Sequence, residues 1–127
     1  MSERDYAGAA AFRAELRRFL RRSEAAARAH GLTPQQYVLL VMIAGTADGT
    51  STVSELVERL QLTQSAVTEL VQRAQDAGLV TRRPSPSDGR VVQLRLTADG
   101  DARLAAVYDD LGPERQQLKQ FVERLAD

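Results

Sequence analysis

Two closely spaced helix starts near the middle of the chain constrain its fold more than any other feature of the sequence. Thr52 and Glu55 have the spacing of a capping box, in which each side chain accepts a hydrogen bond from the other residue's backbone N–H. Thr63 offers a further N-cap soon afterwards. The segment therefore predicts a short helix, a tight turn and then a second helix.

The second of these helices, predicted over residues 64–77, is amphipathic. Val67, Leu70, Val71 and Ala74 recur at helical spacing, so we expect them to face the core. The rest of the helix carries the candidate site residues Gln64, Ser65, Thr68, Glu69, Gln72 and Arg73. Amides pair with adenine, hydroxyls with bases or phosphates, and a carboxylate with cytosine N4. This surface is therefore predicted to contact the major groove of DNA, the alternative being an ordinary solvated helix face.

Two further elements flank this helix pair. A capping box of Thr33 and Gln36 precedes the apolar run YVLLVMIA, which predicts a helix buried nearly all round and broken by residues 45–51. After the pair, the sequence divides into a strand, a loop and a second strand: LVTRR, PSPSDGR and VVQLRLT. Val92, Leu94 and Leu96 alternate with polar residues, which indicates one buried face. We predict a two-stranded hairpin with a basic tip.

Apolar stripes also run along both ends of the chain. Residues 5–30 predict one helix and residues 98–126 predict two, interrupted at Gly112-Pro113. The stripes consist of Phe12, Leu16, Phe19, Leu20, Leu118, Phe121, Val122 and Leu125. Since the middle segment can close its core with its own helices, these stripes predict contact with a second copy of the chain. The alternative is packing within one chain.

Missing residue types exclude several functions. The chain has no cysteine and one histidine, His30, which excludes thiol chemistry, histidine metal sites and a Ser-His-Asp triad within one chain. No catalytic residue, metal ligand or cofactor is predicted, and the protein is predicted not to be an enzyme. No apolar run approaches the roughly 18 residues of a membrane helix, so we expect a cytoplasmic protein without a membrane partner. Net charge is zero, but arginine outnumbers acids over residues 1–30 and 63–96.

The middle of the chain resembles the MarR family of bacterial transcription regulators. The resemblance rests on LTPQQYVLL, on VSELVERLQLTQSAVTELVQRAQDAGLV and on RRPSPSDGRVVQLRLTADG, and its most specific part is Asp-x-Arg followed by Leu-x-Leu-Thr and a glycine. It implies a mainly α fold with a small β-hairpin wing (α+β). Within a single chain of residues 1–127, a winged helix-turn-helix region over 32–97 would be flanked by dimerisation helices over 5–30 and 98–126.

For function, the resemblance implies a sequence-specific transcriptional regulator that binds double-stranded DNA. It would act as a homodimeric repressor of a pseudo-palindromic operator. Arg90 corresponds to the family's minor-groove arginine, with Asp88 holding its guanidinium or the adjacent backbone. The remaining predicted phosphate contacts are Arg73, Arg82, Arg83 and Arg95.

The resemblance also implies a small effector, often an aromatic acid, which relieves repression by favouring a domain spacing that cannot fit the operator. Tyr6, Phe12 and Tyr37 are candidates for its pocket or for the core. A second function class stays open, a winged-helix module that binds protein and not DNA. Zero net charge and the carboxylate of Glu69 favour that alternative.

Overall fold

The chain forms helices around a small antiparallel sheet. The computed structural model describes residues 4–125, so the predicted bounds that reach residues 1–3, 126 and 127 lie outside the described residues. In chain order the elements are α1 (Tyr6–Ala29), α2 (Pro34–Ala44), β1 (Thr50–Ser51), α3 (Val53–Leu60), α4 (Gln64–Asp76), β2 (Val80–Pro84), β3 (Val92–Leu96), α5 (Ala98–Asp110) and α6 (Gly112–Leu125). None of these helices is long and apolar enough to cross a membrane. The predicted fold class is confirmed: a winged helix-turn-helix between helical flanks.

The predicted N-caps set where the helices begin. Thr33 Oγ1 accepts a hydrogen bond from the Gln36 backbone N–H at 3.1 Å, and Gln36 Oε1 accepts one from the Thr33 N–H at 3.0 Å. Thr52 and Glu55 form the same reciprocal pair. Thr63 caps α4 through its hydroxyl. Because each cap satisfies N–H groups that have no partner within the helix, it stabilises the helix start by about 1 kcal/mol.

The core is organised around α2, which packs against α1, α3, α4, α5 and the sheet. Its fully buried side chains include Leu39, Leu40, Ile43, Leu56, Val67, Val71, Leu94 and Val107. The expectation that α2 is buried nearly all round is wrong at Val38, which is 38% exposed. The elements around α2 leave one of its sides open to solvent, and Val38 lies there.

The sheet has three strands in the order β1-β3-β2, so the prediction of a two-stranded hairpin is incomplete. The additional strand, β1, pairs Thr50 with Arg95 and Ser51 with Leu94. It lies in the segment that was predicted only to break α2. A strand of two residues is too short to show the alternation of apolar and polar residues by which longer strands are predicted.

One face of β3 is buried only near its middle. Leu94 is fully buried and Leu96 is partly buried, whereas Val92 is 45% exposed. The expectation that Val92 is buried is therefore wrong. Val92 pairs with Pro84 at the end of the hairpin that leads to the loop, where the helical core no longer covers the sheet.

The last two helices follow each other with almost no break. Gly112 and Pro113 lie in the first turn of α6 and do not form a separate loop, and Leu111 is the C-cap of α5. Proline is tolerated there because an N–H in the first turn has no helical partner to lose. Leu111 itself is buried, which fixes the position of this corner on the core.

Helices α1 and α6 pack against each other. Arg22 Nη2 donates a hydrogen bond to Glu114 Oε1 at 2.8 Å, and this bond lowers the pKa of the Glu114 carboxyl below its ordinary value of 4.5. The ion pair joins the first helix to the last one.

Shortening a buried and an exposed side chain on β3 should have very different effects on stability. Leu94→Ala leaves a cavity in the core and is expected to lower the free energy of unfolding by about 2–5 kcal/mol. Val92→Ala, on the same strand, is expected to change it by less than about 1 kcal/mol. Urea unfolding followed by circular dichroism measures both, and equal losses would contradict the assignment of the core.

The contribution of the Arg22–Glu114 pair to stability should depend on pH. A carboxyl with a lower pKa in the folded than in the unfolded state stabilises the fold while ionised, and this stabilisation is lost as pH falls through the lowered pKa. Wild type is therefore expected to be more stable than Glu114→Gln at pH 7, and the difference should vanish well below pH 4.5. Urea midpoints at pH 7 and pH 3 test this. In an Arg22→Met background the pH dependence should become smaller but not vanish, because a hydrogen bond from the Glu114 backbone also lowers the pKa of this carboxyl.

Candidate nucleic-acid interface

Helix α4 turns one side to the core and the other to solvent. Val67, Val71 and Ala74 are fully buried and Leu70 is partly buried, as predicted. All the predicted site residues of this helix are exposed: Gln64, Ser65, Thr68, Glu69, Gln72 and Arg73. All of them except Arg73 line one shallow depression along the helix. The structure therefore brings polar side chains together on a continuous surface.

The start of α4 adds backbone donors to this surface. Thr63 Oγ1 accepts from the Ala66 N–H at 3.1 Å. The N–H groups of Gln64 and Ser65 precede the first intrahelical hydrogen bond, so they point out of the helix end. Together with the positive end of the helix dipole, such N–H groups favour an anion such as a phosphate.

The longer side chains of α4 are paired along the helix. Arg73 Nη2 lies 2.5 Å from Glu69 Oε1, and Gln72 Nε2 donates to Asp76 Oδ1 at 2.9 Å. The side chains of Arg73 and Glu69 are 70% and 64% exposed, so their ion pair stabilises the helix by no more than about 1 kcal/mol. The pair offsets the charge of Glu69 at the surface, and its small energy lets either partner exchange for another contact.

The loop between β2 and β3 is held by a local network. The Ser85 N–H donates to the Val91 carbonyl at 2.7 Å, and the Val91 N–H donates to the Asp88 carbonyl at 3.0 Å. Asp88 Oδ1 accepts from the Arg90 backbone N–H at 3.1 Å and lies 3.5 Å from Arg90 Nε. Asp88 therefore holds the backbone of Arg90. The Arg90 side chain is 93% exposed, so its guanidinium extends from the wing tip.

The other wing arginines lie on opposite faces of the sheet. Residues that pair directly across an antiparallel ladder project to the same face. Arg82 pairs with Leu94 and shares its inner face, whereas Arg83 pairs with Gln93 on the outer face, where Arg95 also lies. The predicted wing residues are therefore divided between two surfaces.

Arg95 has acidic neighbours. It pairs with Thr50 of β1 and lines a shallow depression with Asp48 and Asp101. Hydrogen bonds from Thr50 lower the pKa of Asp48, so this carboxyl is ionised at neutral pH. The local charge around Arg95 is therefore less positive than at the wing tip.

Gln75 contacts one of the predicted site residues but was not itself among them. It lies in the last turn of α4, partly buried, and its Oε1 accepts a hydrogen bond from Arg82 Nε at 2.9 Å. The contact joins α4 to β2, so no local sequence pattern predicts it. The one available signal is the position of Gln75 about one turn after Gln72 on the same helix.

The predicted dimerisation residues remain accessible in the single chain. Phe12, Leu16, Leu20, Val122 and Leu125 are 36–48% exposed. Phe19, Leu118 and Phe121 are partly buried. The apolar stripes of α1 and α6 are thus only in part covered by their contact with each other.

The groups suggested for an effector pocket are spread between core and surface. Tyr37 packs against the core, while Tyr6 and Phe12 are exposed on α1. A pocket formed by them stays a prediction. Within residues 4–125 no cluster of histidine, aspartate and glutamate is arranged to hold a metal ion.

The sequence is similar to one family model and to several curated proteins. A model of the MarR family matches residues 30–91. The HTH-type transcriptional repressor Rv2887 of Mycobacterium tuberculosis is 30% identical over 109 residues, which are 75% of this chain and 76% of that protein. The HTH-type transcriptional repressor MdtR of Bacillus subtilis is 36% identical over 77 residues, which are 61% of this chain and 48% of MdtR. Across MdtR and four other curated relatives, the chain spans 32–64% of the relative's length.

Solved structures share the fold. A crystal structure of mutant MarR from E. coli complexed with operator DNA has a TM-score of 0.70 at 26% identity, over 85% of this chain and 76% of that chain. The MarR family transcription regulator SP03579 gives a TM-score of 0.73 at 29% identity, over 93% and 75% of the two chains.

Proposed function

The chain belongs to the MarR family, and on that premise we propose that it is a sequence-specific DNA-binding transcriptional regulator. It acts as a homodimeric repressor of a pseudo-palindromic operator in the cytoplasm. The observation that carries the proposal is the pairing of an exposed polar face on α4 with an arginine that extends from the wing tip. Relatives named as repressors, and a structural neighbour crystallised with operator DNA, support the same class.

Helix α4 enters the major groove and reads base edges in this proposal. Gln72 has one amide hydrogen on Asp76, which orients the amide and leaves its oxygen and second hydrogen for adenine. Ser65 and Thr68, nearer the start of the helix, bond bases or phosphates. Glu69 accepts from cytosine when Arg73 leaves it for a phosphate.

The wing supplies contacts beside the major groove. Arg90 inserts into the minor groove, where a narrow groove concentrates negative potential, and Asp88 keeps the adjacent backbone in place. Arg82 and Arg83 contact phosphates and set the register without reading sequence. Arg95 is the weakest of the proposed phosphate contacts, because Asp48 and Asp101 line the same depression.

The accessible stripes on α1 and α6 support a homodimer. Leu16, Leu20 and Val122 carry apolar area that a second copy would remove from water at about 25 cal/mol per Å². A two-fold dimer places two α4 helices in successive major grooves, roughly 34 Å apart, and so selects an inverted repeat.

Relief by a small aromatic effector completes the proposal and is supported by family membership alone. An effector shifts the balance between two domain spacings only as far as its affinities for them differ. The competing function is a winged-helix module that binds protein, which the neutral chain and the paired side chains of α4 favour.

Removing the wing-tip arginine should separate the two functions. We expect wild type to enrich an inverted repeat from a random duplex pool at near-physiological salt, and Arg90→Ala to bind that repeat about 1–3 kcal/mol more weakly. Arg13→Ala removes the same charge from an exposed position on α1 and should leave the affinity unchanged. Wild-type affinity should also fall steeply with salt as counterions are released. Absence of enrichment, or full tolerance of Arg90→Ala, would favour the protein-binding module.

A charge in the apolar stripe should dissociate the dimer. Leu20→Glu places a carboxylate where the second copy would bury leucine, so sedimentation should give the 14.0 kDa monomer at concentrations where wild type has twice that mass. Leu62→Glu is a matched control, since Leu62 is 45% exposed against 48% for Leu20 but precedes α4. A monomeric wild type, or a dimeric Leu20→Glu, would refute the proposed interface.

A further inference from the structure

One side-chain hydrogen bond joins the two parts of the candidate interface. Gln75 Oε1 in the last turn of α4 accepts from Arg82 Nε on β2 at 2.9 Å. We propose that Gln75 is a positioning residue, which holds the wing at a fixed orientation to α4 so that Gln72 and Arg90 contact one DNA duplex together. The inference rests on the proposed function and deepens it.

The connection between α4 and β2 is short and anchored at its base. Gly78 has a φ of 76°, a left-handed conformation that glycine adopts without strain, and the Leu79 N–H donates to the Ala74 carbonyl at 2.9 Å. Leu79 and Val80 are buried, at 3% and 2% exposure. Arg82 lies further along β2 than these buried residues. Its hydrogen bond to Gln75 is therefore an additional contact between the wing and α4.

The bond also sets the direction of the Arg82 guanidinium. Gln75 takes the Nε hydrogen, which leaves the two terminal nitrogens available for a phosphate. The planar guanidinium cannot rotate freely while Nε is held. The negative end of the α4 dipole favours a cation near the last turn of the helix, where Arg82 bonds Gln75. The hydrogen bond and the helix dipole therefore both stabilise the guanidinium in this position.

Small rotations at the base of the wing become large movements at its tip. Five residues of strand extend about 17 Å at about 3.4 Å each, so a rotation of about 10° at the base moves the tip by about 3 Å. Such a movement is comparable to the length of a hydrogen bond and would remove Arg90 from its contact. The hydrogen bond between Gln75 and Arg82 therefore determines how well Arg90 and α4 can contact one DNA duplex at the same time.

Coupling between Gln75 and Arg90 distinguishes positioning from plain stability. The penalty of Arg90→Ala for the selected repeat is measured in wild type, in Gln75→Met and in Gln75→Glu. Methionine keeps the chain length but has no oxygen acceptor, so the penalty should shrink from about tenfold or more to about threefold or less. Glutamate keeps the acceptor, so the full penalty should return even though its added charge lowers affinity for DNA overall.

Thermal melting of each variant shows whether it is folded. Should Gln75→Met melt below the assay temperature, Arg82→Lys replaces it, since lysine keeps the charge but lacks the Nε donor and the planar fork. An equal Arg90→Ala penalty in every background would overturn the positioning role and leave the proposed function intact. A wild type that selects no sequence would overturn both.

Discussion

Burial of one side of α4 determines what the other side can contact. Val67, Val71 and Ala74 have no exposed surface and belong to the core, and α4 packs against α2 and α3. Turning the helix by a single residue would move these side chains toward water, at a cost of roughly 1.5 kcal/mol or more for each valine. The helix therefore has one preferred rotation about its axis. The direction in which Ser65 and Gln72 point is a consequence of apolar packing on the opposite side.

A second constraint links this domain to the terminal helices. Arg103 Nη1 donates to the His30 carbonyl at the end of α1, and its Nε bonds Asp99 on its own helix. Gly31 adopts a φ of 78°, and a side chain there would collide with the Arg103 guanidinium. His30 Nε2 also lies 3.3 Å from Asp110 Oδ2 on α5. In a dimer held by α1 and α6, this junction would set the separation of the two α4 helices, and hence the spacing of the repeat that they fit.

Local signals predicted most of the fold, and non-local contacts account for what was missed. The capping boxes at Thr33 and Thr52 act over one turn of chain, so their residues can be read directly from the sequence. Strand β1 exists because β3 pairs with it, and nothing within residues 45–51 encodes that pairing. Val92 fits the alternation of a buried strand, yet the core does not extend that far along the hairpin.

The same distinction between local signals and non-local contacts applies to the candidate site. Helical spacing predicted which residues of α4 are exposed, because burial on a helix follows its period. Arginine content predicted a basic hairpin but not its two faces, which depend on the register that pairs Arg82 with Leu94. The bond from Gln75 to Arg82 depends on the angle between helix and strand, so it appears only in three dimensions.

A chain with zero net charge can still have a surface that binds phosphate. On this surface the arginines pair only weakly with carboxylates that are close to them in sequence. Arg73 and Glu69 are both largely exposed, and such a pair contributes little that a phosphate could not replace. Arg90 is nearly fully exposed and is held chiefly through its backbone, so its guanidinium loses little on leaving Asp88. By contrast, Arg22 and Arg103 bond groups distant in sequence and stabilise the fold itself. The arginines thus form two groups, because Arg73 and Arg90 would give up weak contacts on binding DNA, whereas Arg22 and Arg103 would give up contacts that stabilise the fold. The net charge of the chain does not distinguish these groups.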